Sequence, residues 1–190
     1  DDQVICFVSE MAAVNFTTSI TDGSVVYDWV RDNENIEGLE MNGSGTIDAT
    51  ALTNTTNAAQ TTTITVTPTY SKDGTSCTGT PITFTITVYP KVVMNDVDDQ
   101  AICHGSEMAA VNFTTPITDG SVVYNWSRNN DSISGLAMSG TGNIPATVLT
   151  NTTNTAQVDT ITVTPVYTNN GNECTDESVT FTITVNPKVV

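Results

Sequence analysis

An all-β chain folded as two antiparallel β-sandwiches in tandem is what this sequence predicts, on three observations. The chain matches itself without gaps at a single offset of 97 residues, from Asp1/Asp98 through Val93/Val190, with about two positions in three identical. Apolar residues alternate at period two in the strongest segments, and no segment keeps a 3.6-residue period. Gly and Pro punctuate those segments at short intervals. A 97-residue period is far longer than a solenoid repeat of roughly 20 to 50 residues, so each copy is expected to close its own core. The expected layout is one sandwich over 1–93, a short linker at 94–97 and a second sandwich over 98–190. The sequence starts and stops in phase with its period, as expected of a piece cut from a longer array.

Within a copy, Gln3 to Cys6 and Ala13 to Thr17 are expected as short strands, followed by a break at Asp22-Gly23. Val25 to Arg31 is the next strand, with further breaks at Gly38 and Gly43-Ser44-Gly45, and another strand lies near Leu52. Thr63 to Pro68 and Thr160 to Pro165 alternate cleanly, and Lys72-Asp73-Gly74 or Asn169-Asn170-Gly171 supplies the turn that follows. The last strand is the clearest. In Ile82-Thr83-Phe84-Thr85-Ile86-Thr87-Val88 and Val179-Thr180-Phe181-Thr182-Ile183-Thr184-Val185, every apolar side chain points one way and every Thr the other. Several short strands at this spacing describe a two-sheet sandwich.

Composition narrows the function. Five Lys and Arg stand against 21 Asp and Glu, for a net charge of −16. That balance argues against nucleic acid, which is held by clustered Lys and Arg, and against an anionic membrane surface. The first copy holds three basic and twelve acidic residues and the second two and nine, so acidity is spread over both. No apolar run approaches the ~20 residues that span a bilayer, and no membrane insertion is expected of this stretch. Thr makes up about one residue in five, which suits half-solvated strands.

Each copy carries two Cys, 71 residues apart in both. An even count at matched positions predicts an oxidising compartment and one disulfide inside each copy, Cys6 to Cys77 and Cys103 to Cys174, with free buried thiols as the alternative. A loop of that length would contribute about 4 kcal/mol in the chain-entropy picture. Zinc fits poorly, since there is no CxxC and His104 is the single His. Trp29 and Trp126, each in a Tyr-x-Trp step after an Asp-Gly turn, are expected to fill the two cores.

These motifs resemble a known family. Tyr-x-Trp, the Gly-x-Gly-x-Ile step at Gly43 to Ile47 and Gly140 to Ile144, Leu52-Thr53-Asn54-Thr55-Thr56, Thr65-Val66-Thr67-Pro68 and the closing Thr-Val-Tyr/Asn-Pro-Lys are similar to the PKD-like, Ig-related repeats. Cys103-His104-Gly105 fits that family's Cys-x-Gly start, whereas the first copy has Cys6-Phe7-Val8. Such repeats occur in tandem in very large secreted surface proteins of Bacteroidota, gliding-motility adhesins among them. The resemblance implies extracellular Ig-like stalk modules, exported by the type IX route and displayed in an outer-membrane-associated filament. It also implies adjacent repeats of the same chain as partners, with surface polysaccharide or the substratum as the adhesion target and the fragment itself a monomer.

Catalytic chemistry has little support, because a lone His present in one copy cannot serve an equivalent site in the other. No catalytic residue is assigned. Many acidic positions of the first copy, among them Asp28, Asp32, Glu40 and Asp48, are replaced in the second by Asn125, Asn129, Ala137 and Pro145, which reads as replaceable surface. Calcium is the sharper expectation: Asp96, Asp98 and Asp99 place three carboxylates in four residues, where an ion could brace one copy against the next. The plainer reading of that run is a solvated acidic linker. Asn54-Thr55-Thr56 and Asn151-Thr152-Thr153 have the form of glycosylation sequons.

Overall fold

The computed structural model describes residues 1–189, which contain no helix and form two compact units, Asp1–Lys91 and Val92–Val190. The first unit contains β1 (Gln3–Ile5), β2 (Ser24–Arg31), β3 (Ile36–Glu37), β4 (Asn42–Ser44), β5 (Thr53–Asn54), β6 (Gln60–Lys72), β7 (Thr75–Thr78) and β8 (Ile82–Val88). Its main sheet runs β1-β8-β6-β2-β4, with β7 also paired to β6. A second, thinner layer comprises the β3–β5 pair and isolated bridges from Glu10 to Ala51 and Val14 to Ile47.

The second unit repeats this plan in β9 (Gln100–Ile102), β10 (Glu107–Met108), β11 (Ser121–Arg128), β12 (Ile133–Ser134), β13 (Ser139–Thr141), β14 (Thr147–Val148), β15 (Thr150–Asn151), β16 (Gln157–Asn169), β17 (Asn172–Thr175) and β18 (Val179–Val185). Its sheet order is β13-β11-β16-β18-β9, with β17 on β16 and the small pairs β10–β14 and β12–β15. Each unit encloses its own buried cluster. One holds Trp29, Ile36, Leu52, Ile64 and Ile86, the other Trp126, Ile133, Leu149, Ile161 and Ile183.

The longest strand outruns its expected end at Pro68 because the proline sits where its missing N–H is not needed. β8 pairs with β6 over Gln60 to Val66 and β7 over Thr69 to Lys72, so Pro68 falls in the gap between partners. Its carbonyl accepts the Gly79 N–H at 2.8 Å on that same edge. Pro165 occupies the matching gap between Val163 and Val166. Ala13 to Thr17, expected as a strand, is reduced to the single bridge at Val14, and its counterpart to one at Val111.

The expected linker at 94–97 departs from its sequence reading. Met94 is 7% exposed and belongs to the second unit's buried cluster, against which Val97 also packs. The Asn95 amide donates to Thr114 O at 2.8 Å, and Thr115 Oγ1 donates to Val93 O at 2.6 Å. Residues 92–97 thus form part of the second sandwich: Val92 and Met94, two apart in the sequence, are both buried and have apolar surface to remove from water.

Two local features follow from glycine. The indoles of Trp29 and Trp126 lie over Gly43 and Gly140, where an added Cβ would come within 2.3 and 2.4 Å of the ring. This close approach explains why Gly occupies the strand position opposite each Trp. Gly105, in the left-handed region at φ 77°, is replaced in the first unit by Val8 at φ 58°. A β-branched residue is strained there. Val8→Gly is expected to raise the first unit's stability by about 1 kcal/mol, and Gly105→Val to lower the second's comparably, as read by denaturant midpoints.

Candidate functional site

The cysteines do not sit where intradomain bridges require. Cys6 follows Ile5, which is level with Val88 and, across β8, with Gln60, whereas Cys77 lies opposite Tyr70. From Gln60 to Tyr70 along β6 is about 33 Å at a strand's rise per residue. Bridged Cα atoms lie within about 7 Å of one another. In the second unit Cys103 follows Ile102, level with Val185 and Gln157, while Cys174 faces Tyr167, at the same separation. The expected pairs Cys6–Cys77 and Cys103–Cys174 are therefore not formed. Instead Cys77 and Cys103 are free and exposed, whereas neither Cys6 nor Cys174 is a free thiol. Alkylation of the native protein without reductant should label two thiols, at Cys77 and Cys103. Peptide mapping that finds none or four labelled would contradict this arrangement.

Asp96, Asp98 and Asp99 are exposed, and Asp99 Oδ1 accepts the Thr182 amide at 2.6 Å, tying the start of the second sheet to β18. Asp2 does the same for Thr85 at 2.7 Å, and that amide holds its carboxyl below the usual carboxylate range. Because the contact recurs in both copies, it is a fastening of the fold. Among the described residues no three His, Cys, Asp or Glu side chains are grouped so that they could hold a metal ion.

The buried charged groups Arg31, Arg128 and Asp159 were not singled out by the sequence. Arg31 and Arg128, the chain's only arginines, end β2 and β11 in matching positions and are each 8% exposed. Arg128 donates to Asp159 Oδ2 at 2.6 Å and to the carbonyls of Ile133, Leu136, Ala137 and Asn130. Asp159 Oδ1 in turn accepts the amides of Asn129 and Asn130. Arg31 holds the carbonyls of Leu39, Glu40 and Asn33, but Thr62 stands where the second unit has Asp159. Burial lowers the Arg31 pKa, while the Glu34 and Glu40 carboxylates oppose that shift. Asp32 accepts the Thr62 hydroxyl through Oδ1 at 3.2 Å. Its Oδ1 accepts the Thr63 amide at 2.8 Å, a bond that chiefly holds the Asp32 carboxyl below its usual range. Asn129, the counterpart of Asp32, makes the same bond to Thr160. Asp32 is therefore a strand fastening, not the replaceable surface its substitution implied.

Asn54 and Asn151 are internal braces. Each amide nitrogen donates to two carbonyls, Ala58 and Val88 or Thr155 and Val185, at 2.7 and 2.8 Å. Each Oδ1 accepts the amide and hydroxyl of the Thr two residues on. At 4% and 3% exposure, neither sequon presents its nitrogen to a glycosyltransferase. His104 Nδ1 lies 3.2 Å from the Asn151 amide, so the single His is also bound to the frame.

One surface feature differs between the copies. An open groove of about 510 Å³ in the first unit is lined by Ile20, Val25, Tyr27, Pro68, Cys77 and Ile82, among others.

Two β-sandwiches whose buried polar groups serve the frame define a class of tandem, non-helical structural modules. The PKD-like domain model matches residues 3–92 and 100–189, and the chain belongs to the PKD-like domain family. Domains of this kind are typical of extracellular or adhesion-related structural regions and are typically non-catalytic, and the disulfide is in keeping with an extracellular domain. No curated protein matches the chain. Among solved structures, the human desmocollin-1 ectodomain is 12% identical over 98% of this chain, with a TM-score of 0.32. This chain spans 39% of that ectodomain's length. A chimeric titin Z1Z2-Z1Z2 tandem bearing a fibronectin GRGDS peptide is 11% identical, covering 97% of this chain and 95% of its own, with a TM-score of 0.27. Among the described residues no helix is long and apolar enough to cross a membrane.

Proposed function

We propose that the two PKD-like domains are spacer repeats in the stalk of a large bacterial cell-surface adhesin. The parent is exported through the outer membrane by the type IX route and serves surface attachment and gliding motility. The observation that carries this reading is that the same self-enclosed sandwich occurs twice, with buried Arg and Asn groups committed in both copies to holding strands and loops. A module so built works by keeping its shape. The net charge of −16 discourages neighbouring stalks from adhering to one another. The partners are adjacent repeats of the same chain, and the adhesion target is a surface polysaccharide or the substratum. A glycan array probed with the full chain tests the reading. No saturable binding is expected; a saturable sugar ligand would make the pair a carbohydrate-binding module of a secreted polysaccharide-degrading enzyme instead.

A further inference from the structure

The second unit shows what covers the surface that lies open in the first. There residues 92–97 run over the matching face, with Val92 1% and Met94 7% exposed and Met94 in one buried cluster with Phe113 and Tyr124, against which Val122 and Val179 pack. Polar contacts fix the segment. The Val92 amide donates to Asp176 Oδ2 at 2.8 Å, and Asn95 bonds Thr114 through both its amide and its side chain. The counterparts of Phe113, Tyr124, Val122 and Val179 are Phe16, Tyr27, Val25 and Ile82. Phe16 and Tyr27 are only half-buried and Ile82 is 57% exposed. Among the described residues nothing in the first unit takes the place of Val92 and Met94.

We propose that this groove is the seat for an extended Lys-Val-Val-Met-Asn segment supplied by another copy of the repeat, bound as residues 91–95 are bound in the second unit. The hydrogen-bonding groups are in place: Thr17 and Thr18 stand where Thr114 accepts from Asn95 and Thr115 donates to the Val93 carbonyl. The donor sequence recurs too. Lys188-Val189 repeats Lys91-Val92. The groove thus receives a peptide by the apolar alternation of Val and Met over a face of Tyr, Val and Ile. Gly79 replaces Asp176, so the occupant loses one hydrogen bond there.

Cys77 lines the groove and is exposed, and free Cys103 lies in the other unit as an internal control. A synthetic peptide with the sequence of residues 90–98 is added to the full chain, and alkylation of both thiols is followed by mass spectrometry. At ten times its Kd the peptide should slow labelling at Cys77 about tenfold and leave Cys103 unchanged. A second form of the chain carries the sequence of residues 91–97 fused ahead of Asp1; it should protect Cys77 without added peptide and raise the first unit's melting temperature. The same extension with its Met replaced by Asp should do neither. Unchanged Cys77 labelling in the fused chain, or equal protection by the Asp-bearing extension, would overturn the proposal. The inference deepens the spacer reading, yet the two fail separately: an open groove leaves the spacer intact, and a sugar ligand leaves the groove's occupancy unaffected.

Discussion

Asp159→Thr should destabilise the second unit by about 3 to 5 kcal/mol, the usual cost of leaving a buried charge without its partner. Arg128 and Asp159 have side chains only 4% and 3% exposed, and the substitution would strip the guanidinium of its carboxylate while orphaning the Asn129 and Asn130 amides. The first unit supplies the control. Arg31 stands at the matching place without a carboxylate at Thr62, with Asp32 at the strand end and the charges of Glu34 and Glu40 around it. Asn129→Asp and Ala137→Glu added to Asp159→Thr would rebuild that arrangement and should recover a substantial part of the loss. Urea unfolding followed by signals assigned to each unit reads both results. A single variant as stable as the parent would show that the ion pair contributes nothing.

Asn151→Asp should cost the second unit about 3 kcal/mol or more. The parent amide donates to Thr155 O and Val185 O. A carboxylate would set negative oxygen against both carbonyls, and each buried group left unsatisfied costs about 1 to 3 kcal/mol. Asn54→Asp should act alike on the first unit, through Ala58 O and Val88 O. Thermal melts near neutral pH measure the loss. Produced in a eukaryotic secretory host, the parent chain should carry no glycan at Asn54 or Asn151, a point that site-resolved peptide mapping decides.

Period-two alternation made the sheets legible, because a strand with one wet face must alternate whatever lies beyond it. Ile82 to Val88 and its copy are the plainest case. The start of the second unit was less legible: the short Val92-Val93-Met94 run between two strong strands has the appearance of a connector, and its burial depends on a face formed by Phe113 and Tyr124 far along the chain. Cysteine pairing was not legible at all. Spacing is identical in the two copies under every connectivity, and only the register of β8 on β6 shows that Cys6 and Cys77 occupy opposite ends of a sandwich. The buried arginines could have been found, since the chain's only two Arg residues stand 97 positions apart. The bracing role of Asn54 was not legible, because a sequon pattern says nothing about which way the amide faces.

Near-identical neighbours invite strand exchange while a nascent chain is folding. The carboxylate present at Asp159 and absent at Thr62 distinguishes them. If β6 were captured by the second sheet, Thr62 would meet Arg128 with Asn129 beside it, and the guanidinium would be left uncompensated. If β16 were captured by the first, Asp159 would add a second carboxylate beside Asp32, where the first sheet has Thr62. Each long central strand therefore matches the arginine of its own copy better than that of its twin, a small sequence divergence that favours correct assembly.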